Sequence, residues 1–193
     1  MKAGKEITMT YTDKEIEDSI SELLIKMNEK YNWGLDSEEI ENTPGRIVRA
    51  FGEFNDRRNY DKFKTFEVNA QEQLVIVKGM EFYSLCSHHF LPFFGKISIA
   101  YIPEDKVVGV SKISRVVSSV SLKPSLQEKI GIEIADKLEE ILHPAGILVV
   151  IEAQHMCMMM RGVRDSPMMV TSVARGIIRN KEALKTEVMN LLK

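Results

Sequence analysis

Ile16, Ile20, Leu23, Leu24, Met27 and Tyr31 recur at helical spacing, and Thr12-Asp13 ahead of them reads as a helix start. Asn32-Trp33-Gly34 ends that pattern. Thr43-Pro44 predicts a second helix, a capping hydroxyl followed by proline at the first helical position, running to about Asn55. From Phe66 to Val77 the pattern turns mixed and β-like. Between Gly95 and Ile102 it alternates, with Ile97, Ile99 and Tyr101 facing one way and Lys96, Ser98 and Ala100 the other, which predicts a strand. Val107 to Val110 reads as a short strand. Ser111 is expected to cap a helix through about Ser119, and Pro124 or Ser125 to open another that ends at His143 before Pro144. Gly146 to Ala153 is rich in β-branched residues and predicts a buried strand. Met168 to Ile178 predicts a further strand, and Asn180 is expected to cap a last helix to Leu192. No repeat, low-complexity tract or Pro/Gly/Ser linker interrupts this order. The chain reads as α+β, with a helical appendage over residues 1–60 and one domain over 61–193.

The 193 residues are enough to bury a core without staples. Hydrophobic residues at 44% and charged residues at 28% are globular composition. A formal charge of −2 excludes coating nucleic acid by bulk charge. The longest apolar run is Ala145 to Ile151, far short of a bilayer span. The N-terminal stretch lacks the apolar core of a signal peptide, so the cytoplasm is the expected compartment. Neither nucleic acid nor membrane is an expected partner. The charge is unevenly spread. Residues 1–60 hold nine Lys and Arg against thirteen Asp and Glu. By contrast Lys112, Arg115, Lys123 and Lys129 face only Glu128 in residues 111–129, and Arg161, Arg164, Arg175, Arg179 and Lys181 face only Asp165 in 154–181. Two such clusters without interleaved aromatics suit a compact polyanion better than a nucleic acid.

In a reducing compartment Cys86 and Cys157 are not expected to form a structural disulfide. Cys86-Ser87-His88-His89 holds two of the four histidines, and His155-Met156-Cys157 holds a third beside the other cysteine. Zinc takes thiolate and imidazole ligands. A Cys-x-x-His pair clasps an ion from one turn, and a distant Cys completes three ligands with the fourth position open to water, the catalytic arrangement. If Cys86, His89 and Cys157 bind zinc, His88 and His155 are left as proton carriers near neutral pH. His143, at a helix end before Pro144, is set apart from this group. Lys112, Arg115 and Arg161 offer a phosphate grip. Glu128 offers a carboxylate that can accept two N–H bonds from a guanine edge, or is simply a solvated helix residue.

The segments Cys86–Phe90, Gly95-Lys96, Ala100–Pro103, Gly109–Ile113 with Arg115, Gln127-Glu128, Glu152–Cys157, Arg161–Asp165 and Thr171-Ser172 together resemble GTP cyclohydrolase I, over roughly Thr43 to the C-terminus. The resemblance implies a tunnelling fold, an antiparallel sheet with two helices on one face, closed by neighbouring subunits into a β-barrel ring. It implies a homodecamer with active sites between subunits. It implies that the imidazole ring of GTP is opened, C8 leaves as formate, and the ribose rearranges to 7,8-dihydroneopterin triphosphate, with Zn2+ activating the attacking water. By position, Cys86, His89 and Cys157 match the zinc ligands, His155 the histidine that protonates N7, and His88 the one that handles the proton at the ribose ring oxygen. Ser111 also matches a site position. Glu128, with Gln127 beside it, matches the guanine-binding acid. Lys112, Arg115 and Arg161 match the triphosphate grip, and Arg46 a phosphate contact from a neighbouring subunit. Ser87 stands where the family commonly has Glu, and Lys123 where Arg is usual.

Other readings are a homologue that stops at ring opening, a nitrile reductase of the same fold with a nucleophilic Cys and NADPH, and a non-catalytic zinc- and nucleotide-binding ring. The paired histidines and second cysteine disfavour the reductase. Free proton carriers beside the metal ligands disfavour the non-catalytic ring.

Overall fold

The computed structural model describes residues 11–55, 64–68 and 73–192. The chain divides into two compact units, Met1–Asp56 and Arg57–Lys193.

The first unit is a helix pair, α1 (Asp13–Tyr31) and α2 (Ser37–Phe54). Thr12 and Glu15 cap each other reciprocally at the start of α1, and Asn32 closes it in the left-handed conformation, φ 51°. The side chain of Asn28 then clasps Leu35 through both of its backbone groups, at 3.2 and 3.0 Å, and so sets the turn between the helices. The expectation that α2 begins at Thr43-Pro44 is corrected. Asp36 and Glu39 form a second capping box, so the helix starts at Ser37 and Pro44 lies inside it, buried. The cap satisfies the first-turn amides, while Pro44 forfeits one backbone bond in a helix long enough to tolerate the loss. No residue of α1 is buried, so its apolar stripe stays largely open, with Leu23 55% exposed.

The second unit mixes helix and sheet. Five strands run in the order β5-β2-β3-β6-β7: β2 (Val75–Cys86), β3 (Pro92–Ile102), β5 (Pro124–Ser125), β6 (Gly146–His155) and β7 (Met169–Arg175). All neighbours are antiparallel except β5 with β2. A separate two-stranded ladder joins β1 (Thr65–Glu67) to β4 (Lys106–Val108). Helices α3 (Val110–Ser121) and α4 (Gln127–Leu142) cover one face. There Ile97, Ile99 and Tyr101 pack with Ile113, Val117, Ile130 and Ile134, as the alternation in β3 predicts. Burying this many aliphatic side chains, at about 1.5–3 kcal/mol each, is the main stabilising term of the unit. The opposite face is covered too. Ala100, Ile102, Leu148 and Val150 meet Ile178 of α6 (Gly176–Asn180) and Val188 of α7 (Glu182–Leu192).

Three expected boundaries move for local reasons. Gly109, not Ser111, is the N-cap of α3, and Ser111 sits inside the first turn. Pro124-Ser125 does not open a helix. It pairs in parallel with Leu85-Cys86, and α4 starts after it at Gln127. The strand expected to reach Ile178 stops at Arg175, because Gly176 takes φ 59° and turns the chain into α6, which ends at Asn180. At Gly95 the backbones of β3 and β6 come so close that an added Cβ would lie 1.9 Å from the carbonyl oxygen of Glu152.

Candidate active site

Cys86 is the last residue of β2, and the chain folds back at once. Phe90 N–H donates to the Cys86 carbonyl at 2.8 Å, Cys86 N–H donates to Leu91 O at 2.8 Å, and Phe90 takes φ 55°. This tight hairpin points Cys86, His88 and His89 from one turn. Strand β5 braces it, with Ser87 N–H donating to Ser125 O at 3.0 Å. Cys157 enters from elsewhere, on the short helix α5 (Met156–Met159) that follows β6. The register of β3 and β6 sets Phe93 opposite His155 and so carries α5 to the hairpin.

The ligand atoms of Cys86, His89 and Cys157 lie within 4.8 Å of one another. Cys86 Sγ is 3.9 Å from His89 Nδ1. Tetrahedral zinc with ordinary Zn–S and Zn–N bonds needs ligand atoms roughly 3.5–3.8 Å apart, so a small closure completes the site. Cys86 is buried and Cys157 half-buried, and neither is in a disulfide. Burial and the neighbouring Cys86 push the Cys157 thiol up, against a smaller downward pull from Arg161. Two sulfur atoms and an imidazole nitrogen brought this close together are the donor set that zinc takes. The residues present therefore fit zinc.

His88 Nδ1 is likewise 3.9 Å from Cys86 Sγ, and its ring is exposed. His155 is half-buried and lies flat against Phe93. Burial holds its pKa below the usual imidazole value, while the Glu128 carboxylate pulls the other way. His155 Nε2 is 2.8 Å from Gln127 Oε1. The Arg161 guanidinium lies 3.2 Å from His89 Nε2. Gln127 and Glu128 open α4, with Gln127 buried and Glu128 exposed. Ser111, Lys112 and Arg115 occupy the first two turns of α3. Arg46 is an exposed residue of α2, in the first unit. There it lines an open groove of about 530 Å³ together with Lys14, Glu17, Asp18 and Arg49.

The two departures from the family pattern lie beside this group and not in it. Ser87 is exposed. Lys123 is paired with Glu133 at 2.5 Å, and its carbonyl accepts from Ser84 Oγ. Sequence reasoning missed Phe93 as the platform under His155, and a polar link from Gln127 to Thr171. Only strand register could have shown either.

The family model of GTP cyclohydrolase I matches residues 16–193. The chain belongs to the GTP cyclohydrolase I family. The match begins 27 residues before Thr43, so most of the first unit shares in a likeness that the motifs alone place only from Thr43 onward. Among relatives, the GTP cyclohydrolase 1 of Aquifex aeolicus is 46% identical over 159 residues, covering 82% of this chain and 86% of that protein. The GTP cyclohydrolase 1 of Finegoldia magna is 44% identical over 186 residues, covering 93% and 98%. That of a Sulfurihydrogenibium species is 40% identical over 185 residues, covering 95% and 97%. Among the described residues no helix is long and apolar enough to cross a membrane.

Proposed function

We propose that this chain is a hydrolase that converts GTP and water into 7,8-dihydroneopterin triphosphate and formate, the first step of folate and pterin biosynthesis. In a member of the GTP cyclohydrolase I family, one observation supports this most: three zinc-type ligand atoms converge beside two histidines that are not needed to hold the ion. Residues 61–193 form the catalytic domain, and residues 1–60 the helical appendage.

Cys86, His89 and Cys157 hold the metal. When bound, zinc supplies the Lewis acidity that makes water a nucleophile near neutral pH. His155, half-buried and with a depressed pKa, is neutral at rest and exchanges a proton with the imidazole part of the base. His88, exposed on the hairpin, serves the ribose, whose ring oxygen needs a proton as the sugar opens. Glu128 accepts from N1–H and the 2-amino group of guanine, with Ser111 close to the substrate. Lys112, Arg115 and Arg161 bind the triphosphate. Arg46 adds a phosphate contact from a neighbouring chain.

The open edges of the sheet support assembly. β7 is an edge strand of seven residues, and β5 covers only the last two residues of β2. Open edges of this length are an aggregation hazard unless paired. Joining β7 of one chain to the free edge of β2 in the next closes a ring, and two rings give a decamer with its sites between subunits. The compartment is the cytoplasm, where both thiols stay reduced for metal binding.

The experiment is to incubate zinc-loaded protein with GTP and follow formate together with pterin fluorescence. Both products are expected in equal amount. Formate without a pterin means a reaction that stops at ring opening. Neither product, with zinc and GTP both bound, overturns the assignment.

A further inference from the structure

We propose that Gln127 is a positioning residue for His155, fixing both the orientation of the imidazole and which nitrogen carries its hydrogen, and that it does not bind the substrate. The inference rests on the reading of His155 as a proton carrier.

The Gln127 side chain is 1% exposed. Its amide nitrogen lies 3.1 Å from each of three acceptors: the Ile151 carbonyl, the Met169 carbonyl and Thr171 Oγ1. These belong to adjoining strands, since Ile151 pairs with Thr171 and Ala153 with Met169 across β6 and β7. The two amide hydrogens are therefore spent inside the protein. The amide cannot be turned over, because its oxygen would then face two carbonyl oxygens with no hydrogen between them.

With the nitrogen fixed, Oε1 is the atom that meets His155 Nε2 at 2.8 Å. An amide oxygen only accepts, so Nε2 must be the donor. The neutral ring then keeps its lone pair on Nδ1, the nitrogen left free to exchange a proton. Phe93 lies parallel to the ring at 4.6 Å and limits its tilt, while the Gln127 bond limits its rotation. The first residue of α4 thus holds the histidine at the end of β6 through a bond that leaves no amide hydrogen for a ligand.

The test uses zinc-loaded full-length protein labelled with 15N-histidine, with the His155 signals assigned by their loss in His155→Asn. In the wild type, hydrogen is expected on Nε2 and a bare nitrogen at Nδ1 when the ring is neutral. In Gln127→Met, the signals should move toward a mixture of both tautomers. Turnover should then fall about 10–100-fold, by analogy with the loss of a partner that orients a metal-bound histidine. The KM for GTP and the zinc content should stay unchanged. A raised KM with unchanged kcat would make Gln127 a substrate contact and overturn the proposal, as would unchanged kinetics. Should Gln127→Met not fold, the wild-type spectrum decides alone, and hydrogen on Nδ1 sinks the idea. An active wild type with that tautomer removes only this inference. A wild type that binds zinc and GTP but releases no formate removes the function instead.

Discussion

His155 lies flat on Phe93, with ring centroids 4.6 Å apart and planes 5° from parallel. The two are also direct partners across β3 and β6. Ring position is therefore set by strand register, and a slip of β6 by one residue would turn His155 to the face away from Phe93. The same ladder places Cys157, two residues on, against the hairpin that carries Cys86 and His89. The candidate metal ligands and His155 share one piece of backbone geometry.

The metal group is tested by removing a ligand. Cys86→Ala, His89→Ala and Cys157→Ala should each lose zinc on dialysis and release no formate. Chelation of the wild type should abolish turnover reversibly. Elemental analysis is the check, and full zinc content in Cys157→Ala would remove that residue from the site.

The two remaining histidines should separate metal binding from proton transfer. His88→Ala and His155→Ala are expected to keep zinc and to lose turnover by about 10²–10⁴-fold, the usual size of an acid–base contribution. They should differ in what accumulates. Loss of His155 blocks the early hydrolysis, whereas loss of His88 leaves a formylated, ring-opened species that mass spectrometry detects. Pterin formation by His88→Ala at the wild-type rate would exclude the ribose role.

Base selection should reside in Glu128. A hydrogen bond to a charged group contributes about 1.5–3 kcal/mol. Glu128→Gln should therefore weaken GTP binding by roughly 10–150-fold while sparing zinc. Isothermal titration with GTP and ATP measures this, and equal affinities before and after the change would take Glu128 out of the site.

The close approach at Gly95 should be intolerant of any side chain. In Gly95→Ala the new methyl group meets the Glu152 carbonyl, and β3 and β6 must part locally. Overpacking of this kind costs about 1–3 kcal/mol or more. A lower thermal midpoint, with weaker zinc retention because β3 and β6 jointly place Cys157, is the expected result. Unchanged stability would show that the ladder yields more easily than its geometry implies.

Shared sites predict complementation. Arg46→Ala and Cys86→Ala proteins, each impaired alone, should regain partial activity when unfolded together and reassembled, because Arg46 is the contact drawn from a neighbouring chain. Light scattering should report a decamer. An active monomer would overturn the shared-site arrangement outright.

Read alone, the sequence pointed to a candidate metal group and laid out most of the elements. Cys86, His88, His89, His155 and Cys157 are rare residue types in two tight clusters, and local spacing is enough to mark a candidate metal turn. The alternation in β3 and the aliphatic run of β6 were legible because each repeats one simple period. Where local signals competed, the sequence misled. Thr43-Pro44 looks like a helix start, yet the capping box of Asp36 and Glu39 lies further upstream and wins. Pro124-Ser125 looks like another, yet the free edge of Leu85-Cys86 captures it as a strand. That His155 rests on Phe93 and is tied to Gln127 emerges from the packed fold alone, because those contacts span 62 and 28 residues of chain and depend on strand register. Periodicity fixes which face a side chain takes; it carries no information about which distant residue stands opposite.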